Sequence, residues 1–444
     1  MPSHTLKYRK VALLGALAAL MFSASVAQAN GSSSFEIWLV DQSNTRDLAY
    51  GGAIHVYDGR TLITRPGHAV KPLGTINLGA ATADLCFAAT GALPVRPHML
   101  FFNSKDTHAA LSFVASGHVV IFDARKRQPV ACFRTEIGAG GARQAHAAWH
   151  TRDDRYLIVA NQNGKKLERI RTDYANNLYA QEPAATLDLA TCTTPNGLPC
   201  ESAELRPDNA PICGIVGSDN GPSFVSLRGG GMFVVDWRST PMKIVSEYDL
   251  QNVPANGCGF AEARGWVFAS GGGGTPANLD QFTVYRVPMK GHSDGGPPNY
   301  PTTQILFNDD SPERDAHGVA TSLNEWFVWV GDRDGNVIEV FESLTGTRVR
   351  TLDLVSEHSD DPTPDLFATS PDKRWVFVST RGPNPLSGDP HSSLGQDPGL
   401  LVMSMQFGGW TGEVRSLVRI SNIDAAGVER ADAHGIAMRR VRSR

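Results

Sequence analysis

Beyond Ala29 the sequence has no apolar run of the length that a membrane-spanning helix needs. It has no Cys-x-x-Cys-His, which argues against a covalently attached haem. It does not present the strand, Gly-x-Ser-x-Gly elbow and helix of a nucleophilic hydrolase. The glycine runs at Gly229 to Gly231 and Gly271 to Gly274 do not lie between a strand and a helix, so they read as turns rather than phosphate cradles. Charge of one sign is scarce too. A net charge of -4 with both signs interspersed leaves no basic stripe for nucleic acid and no basic amphipathic helix for a membrane surface. Long stretches at helical spacing are few.

What is present begins with an export signal. Lys7, Arg9 and Lys10 precede the apolar run Val11 to Phe22, which leads to Ala27-Gln28-Ala29. Residues 1–29 are therefore expected to be a signal peptide and residues 30–444 a single periplasmic domain. An oxidising compartment permits disulfides among the 6 cysteines. Cys192 and Cys200 bracket a turn-rich segment and are the expected pair, whereas the connectivity of Cys86, Cys132, Cys213 and Cys258 stays open.

With 44 glycines and 27 prolines, the chain reads as many short strands joined by turns. The strand signals come in groups of four. The clearest group is "HGVATSL", "EWFVWVG", "GNVIEVFES" and "RVRTLDL", from His317 to Leu354. Equivalent groups start at His98, His146, Cys213, Cys258 and after the His317 group, the one from His146 ending in the strand "AATLDLA". Near the N-terminus stand three strands, "FEIWLVD", "AIHVYDG" and "LGTINL", without an innermost one, and the C-terminus supplies a lone "AHGIAMRR". Joined, these complete a seventh unit and remove the open sheet edges. The expected fold is all-β, a seven-bladed β-propeller closed by the C-terminal strand.

The segment "AHGVATSLNEWFVWVGDRDGNVIEVFESLTGTRVRTLDL" resembles a blade of the YVTN-type propellers, and "RYLIVANQNG" is similar to the second half of that repeat. The resemblance implies the propeller fold over most of the mature chain. It does not imply one activity, because such propellers serve as lactonases, dehydrogenase heavy chains, copper enzymes and plain binding surfaces.

In a propeller the first strand of each blade lines the central channel. Aligning those strands places His434, His98, His146, Cys213, Cys258, His317 and Asp365 in one ring. All are side-chain types that bind borderline transition metals. A single such histidine is more simply explained by hydrogen bonds to its own neighbours. Four histidines at seven equivalent positions point instead to a metal, with His98, His146, His317, His434 and Asp365 as ligands and His108 as a further one reaching in from the side. Cys213 and Cys258, at matching heights on adjacent blades, are expected to pair with each other rather than to ligate.

Copper is the expected cofactor, ahead of zinc or calcium. The expected function is metal-dependent redox chemistry on a small molecule, with Asp315, Asp432 and Lys105 as proton carriers. In outline this is similar to the copper propellers of the nitrous-oxide-reductase and thiocyanate-dehydrogenase kind. The cupredoxin-like domain of the former is missing, which implies an external periplasmic redox protein. Arg96, Arg143, Arg314 and Arg430 stand near ring histidines and would favour a small anion as substrate. A non-catalytic propeller that binds a protein or ligand, or a lactonase-like metal-dependent hydrolase, are the alternative functions.

Overall fold

Short runs rich in Val, Ile, Phe and Trp, each closed by Gly, Asp or Asn, fold into antiparallel ladders rather than helices. The computed structural model describes residues 34–254, 257–273, 280–292, 300–386 and 394–441. The segment read as a signal peptide lies outside the described residues, as do Gly274 and His391. No helix among the described residues is long and apolar enough to cross a membrane.

Seven antiparallel sheets follow one another along the chain. Blade 1 takes its innermost strand from the C-terminus: Ala433–Arg440 pairs with Phe35–Asp41, followed by Ala53–Asp58 and Gly74–Asn77. Blades 2 to 7 have innermost strands Pro97–Phe102, Ala145–His150, Pro211–Val216, Phe260–Ala263, Ala316–Thr321 and Pro364–Thr369. Each innermost strand touches those of the two neighbouring blades, so the ring closes. Closure stitches strand Phe35–Asp41 to the far end of the chain, with Phe35 opposite Arg440 and Leu39 opposite Ile436.

Burial falls from the inside of each blade outwards. The second and third strands of blade 2, His108–Phe113 and His118–Asp123, are buried at every position because both sheet faces are covered by neighbouring blades. The outermost strand of blade 6, Arg348–Asp353, is largely exposed and carries charge along its edge. Tryptophans fill the seams between blades. Trp149 donates to Ser223 Oγ in blade 4 at 3.0 Å, and Trp329 donates to the Gly409 carbonyl at 2.7 Å.

Two local expectations are corrected. In blade 3 the outermost strand is Leu178–Gln181; of "AATLDLA", only Leu187–Asp188 pairs, with the near end of the same third strand. The turn Pro183–Ala185 interrupts that segment, because Pro183 has no N–H for a ladder. The chain also holds a helix, Leu78–Thr90, capped by the Asn77 side chain and ended by Gly91 at φ 70°. Its Cys86 bonds to Cys132 on the outermost strand of blade 2. Cys192 pairs with Cys200 and Cys213 with Cys258, and these pairings leave no free cysteine among the described residues.

Candidate metal centre in the central channel

The ring residues owe their aim to a repeated irregularity. In blade 2 the ladder jumps between Pro97 and Leu100, in blade 3 between Ala145 and Ala147, and in blade 4 between Pro211 and Gly214. Blades 6, 7 and 1 show the same slip at His317, Asp365 and His434. A bulge frees one residue from the pleat and turns its side chain toward the axis. In blade 5 the ladder begins only at Phe260, so Cys258 lies just before it.

The carbonyls that these bulges leave unpaired find a second repeated device. Ser112 donates to the His146 carbonyl at 2.8 Å and Ser379 to the His434 carbonyl at 2.7 Å, each from the second strand of the preceding blade. The glycine after a ring histidine lets the next blade approach. A Cβ on Gly435 would stand 2.2 Å from the His98 carbonyl oxygen, and one on Gly318 would stand 2.4 Å from that of Asp365.

Contacts run round the ring in the expected order. His317 Nδ1 lies 3.6 Å from Asp365 Oδ1, and Asp365 Oδ2 accepts from His434 Nδ1. The His434 ring stacks on that of His98, with centroids 3.9 Å apart and planes 14° from parallel. His98 Nε2 faces His146 Nε2 at 3.3 Å, and His146 Nδ1 stands 3.6 Å from Cys213 Sγ and 3.7 Å from Cys258 Sγ. The structure thus brings together His98, His146, His317, His434 and Asp365.

For His98 and His434 the partners indicate which nitrogen carries the proton. Gln42 Nε2 donates to Asp432 Oδ2 at 2.9 Å, so its Oε1 faces His98 Nδ1, which must be the donor across their 3.1 Å bond. The lone pair of neutral His98 then lies on Nε2. His434 gives its Nδ1 proton to Asp365, and its buried Nε2 has no hydrogen-bond partner. His317 Nδ1 and Asp365 Oδ1 are also buried without one.

Burial and neighbouring charges disfavour protonation of His98, His146 and His317. Burial, then the charges of neighbouring histidines, pushes His98 well below its ordinary value and His146 down to about 3. Burial and the Arg333 guanidinium do the same to His317. Burial alone would raise the Asp365 carboxyl, but His434, Arg381 and His317 around it hold it well below the carboxylate range. Neutral imidazole is the ligand form for a metal.

Asp315, Asp432 and Lys105 are not placed as expected. Asp432 is fully buried, binds Arg381 through Nε at 2.7 Å and Nη2 at 2.9 Å, and reaches His98 only through Gln42. Asp315 is also fully buried and pairs with Arg333. Both carboxylates are thus taken up by buried guanidiniums and are not exposed to solvent. Lys105 is exposed on the turn before the second strand of blade 2. His108 is corrected as a ligand: Thr107 Oγ1 holds its Nδ1 at 3.0 Å, Asn177 Oδ1 holds its Nε2 at 3.0 Å, and Tyr174 stacks on its face.

Of the four arginines, Arg314 binds Asp332 at 2.9 Å, Arg430 binds Asp424 at 2.9 Å and Arg143 donates to the Thr135 carbonyl at 2.8 Å. These three are engaged with the protein, whereas the buried Nε of Arg96 has no hydrogen-bond partner. Gln42, Arg381 and Arg333 hold the ring instead, and no repeat position marked them in the sequence.

A cavity of about 470 Å³ lies beside the ring. Its wall starts one residue past ring members, at Met99, Gly259, Leu366 and Gly435, and includes Cys258 itself. Further out it is apolar, with Phe101, Trp149, Phe260, Phe367, Ile436 and Met438, before reaching Asn103, Asp106, Arg152 and Arg440.

No protein-family model and no curated protein sequence matches the chain. Solved structures match it in fold. A hypothetical selenium-binding protein from Sulfolobus tokodaii aligns with a TM-score of 0.61 at 10% identity, covering 92% of this chain and 94% of that one. The periplasmic gluconolactonase of Pseudomonas aeruginosa aligns with a TM-score of 0.57 at 15% identity, covering 92% and 100%. A protein from Lactobacillus plantarum aligns with a TM-score of 0.58 at 12% identity, covering 92% and 100%. At these identities the likeness is of the fold alone. The chain is a seven-bladed β-propeller.

Proposed function

We propose that this chain is a periplasmic propeller of the YVTN type that holds a transition-metal ion, copper before zinc, in the imidazole ring of its central channel. There it would carry out redox chemistry on a small molecule that enters through the adjoining cavity. The observation that carries the reading is the pair of Nε2 atoms of His98 and His146 facing each other at 3.3 Å while the His98 proton is committed to Gln42. With His146 protonated on Nδ1, both Nε2 atoms present lone pairs that a cation between them would satisfy; the other tautomer of His146 makes a plain hydrogen bond there. Nitrogens about 2.0–2.1 Å from one tetrahedral ion stand about 3.3 Å apart.

His98 and His146 would hold the ion, and His434, stacked beside His98 with its Nε2 unpartnered, would be the third ligand. Imidazole donors suit copper and zinc. They do not suit calcium, which takes oxygen, and the Asp365 oxygen Oδ2 is already bound by Arg381 at 2.9 Å and by His434. The ion would supply Lewis acidity or a one-electron step. Asp365, Asp432 and Gln42 would hold the rings in the tautomer that presents Nε2. Electrons would pass to a separate periplasmic protein. Three disulfides fit an oxidising compartment and support export.

Elemental analysis of protein exported to the periplasm tests the reading. The expectation is one ion per chain, lost in His98→Gln and His146→Gln. Metal-free protein that is folded and takes up no added copper would overturn it and favour a binding surface without chemistry.

A further inference from the structure

The disulfide Cys213–Cys258 differs in its surroundings from the other two. Cys86–Cys132 lies in an apolar cluster between helix Leu78–Thr90 and blade 2, and Cys192–Cys200 closes a turn. Cys213–Cys258 joins two neighbouring ring positions, Cys258 lines the cavity, and His146 Nδ1 stands almost equally far from both sulfurs, 3.6 and 3.7 Å. The ligand atoms of His146, Cys213 and Cys258 all lie within 4.8 Å of one another.

We propose that this disulfide is a redox gate: reduced by a small thiol entering through the cavity, it becomes a second, thiolate-containing metal site made by Cys213, Cys258 and His146 Nδ1. The inference rests on the reading of the channel as metal-binding, because His146 is the ligand common to both sites. Access and chemistry agree. A cavity of about 470 Å³ has Cys258 in its wall and is large enough for a small thiol. Its thiolate attacks that sulfur, the S–S bond breaks, and Cys213 leaves as a thiolate beside the His146 ring, where a nearby N–H stabilises the developing charge. A second thiol resolves the mixed disulfide. In sum, two small thiols become one disulfide, and Cys213 and Cys258 become thiols carrying the two protons and two electrons.

A divalent ion then displaces both thiol protons, giving two thiolates and one imidazole nitrogen, a donor set for zinc or copper. The gate would couple the two sites. With an ion on Nδ1, neutral His146 carries its proton on Nε2, where it faces His98 Nε2 at 3.3 Å and makes a hydrogen bond in the position of the ring ion. Reduction of Cys213–Cys258 therefore draws His146 away from the ring.

The test uses the folded, full-length exported protein and Co²⁺ as the probe. After mild treatment with 2-mercaptoethanol, alkylation and mass mapping should find Cys213 and Cys258 modified before Cys86, Cys132, Cys192 and Cys200. The reduced protein should then show a thiolate-to-cobalt charge-transfer band that the oxidised protein lacks. The double variant Cys213→Ser and Cys258→Ser should lack that band while still binding cobalt at the imidazoles. Reduction of this pair no sooner than the others, or no thiolate band in the reduced wild-type protein, overturns the proposal. Failure of the oxidised protein to bind any ion, with the band still present after reduction, would sink the ring reading and leave the gated site standing.

Discussion

Arg381 is the buried cation whose loss should cost the ring's surroundings most. Its guanidinium is 2% exposed and binds two carboxylates that are fully buried, Asp432 through two bonds of 2.7 and 2.9 Å and Asp365 through one of 2.9 Å. Arg381→Met keeps the stem and removes the charge, so Asp432 and Asp365 each lose a bound guanidinium. Breaking a buried pair from one side costs about 3–5 kcal/mol. An unfolding entropy near ~2.1 cal/mol/K per residue over Ser34–Arg444 makes one kcal/mol worth about 1 °C, so Tm should fall by about 3–6 °C. Scanning calorimetry reads this directly. The triple variant Arg381→Met, Asp365→Asn, Asp432→Asn, which removes the charges together, should recover most of the loss. The pH dependence carries a sign. Asp365 is held well below its unfolded value, so its contribution is present above about pH 4 and is lost as pH falls through the folded value. The gap between wild type and Arg381→Met should therefore narrow in acid. A single variant that melts with the wild type at neutral pH would refute the claim that Arg381 neutralises the ring's carboxylates.

Gly435→Ala should lower stability by about 1–3 kcal/mol and weaken metal binding, because its Cβ would press on the His98 carbonyl at 2.2 Å; unchanged melting and binding would show that the blades are not held that closely. His118 sits between Thr90 and Ser116, each 2.9 Å away, and burial with Arg134 and Arg143 lowers it to about 4. Between pH 6.5 and 4 the unfolded imidazole takes up a proton that the folded one refuses, so stability falls by up to ~1.4 kcal/mol per pH unit. His118→Gln should remove that slope in urea titrations, and an identical slope would contradict it. Replacing Cys86 and Cys132 by Ser opens a loop with a sequence separation of 46. The chain-entropy relation puts the cost near 4 kcal/mol, measurable as an earlier urea midpoint with little change in metal content.

The ring was legible because one position repeats: His98, His146, His317 and His434 precede similar strands, and a shared blade position implies a shared direction in space. The paired "DAHG" before Val319 and Ile436 is explained on both sides, by the bulge that turns the histidine inward and by the glycine that admits the next blade's carbonyl. What holds the ring was not legible. Gln42 and Arg381 act across blade boundaries, and their positions follow from register, which no single strand carries. Asp315 and Asp432 were noticed for their closeness to the histidines in sequence, yet their carboxylates turn to Arg333 and Arg381. His108 failed as a ligand because a residue at the start of a second strand meets the turn of the neighbouring blade, here Asn177, instead of the axis. Helix Leu78–Thr90 was missed because its Ala-rich sequence has no strong apolar stripe to announce it.

The central claim is that imidazole nitrogens, and no sulfur, surround one ion in the oxidised protein. X-ray absorption at the copper edge of the copper-loaded, oxidised protein tests it most directly. The account predicts two to three imidazole nitrogens at about 2.0 Å, as such ligation requires, with the imidazole signal diminished in His98→Gln. A first shell of sulfur, or of oxygen alone with no imidazole signal, would contradict it.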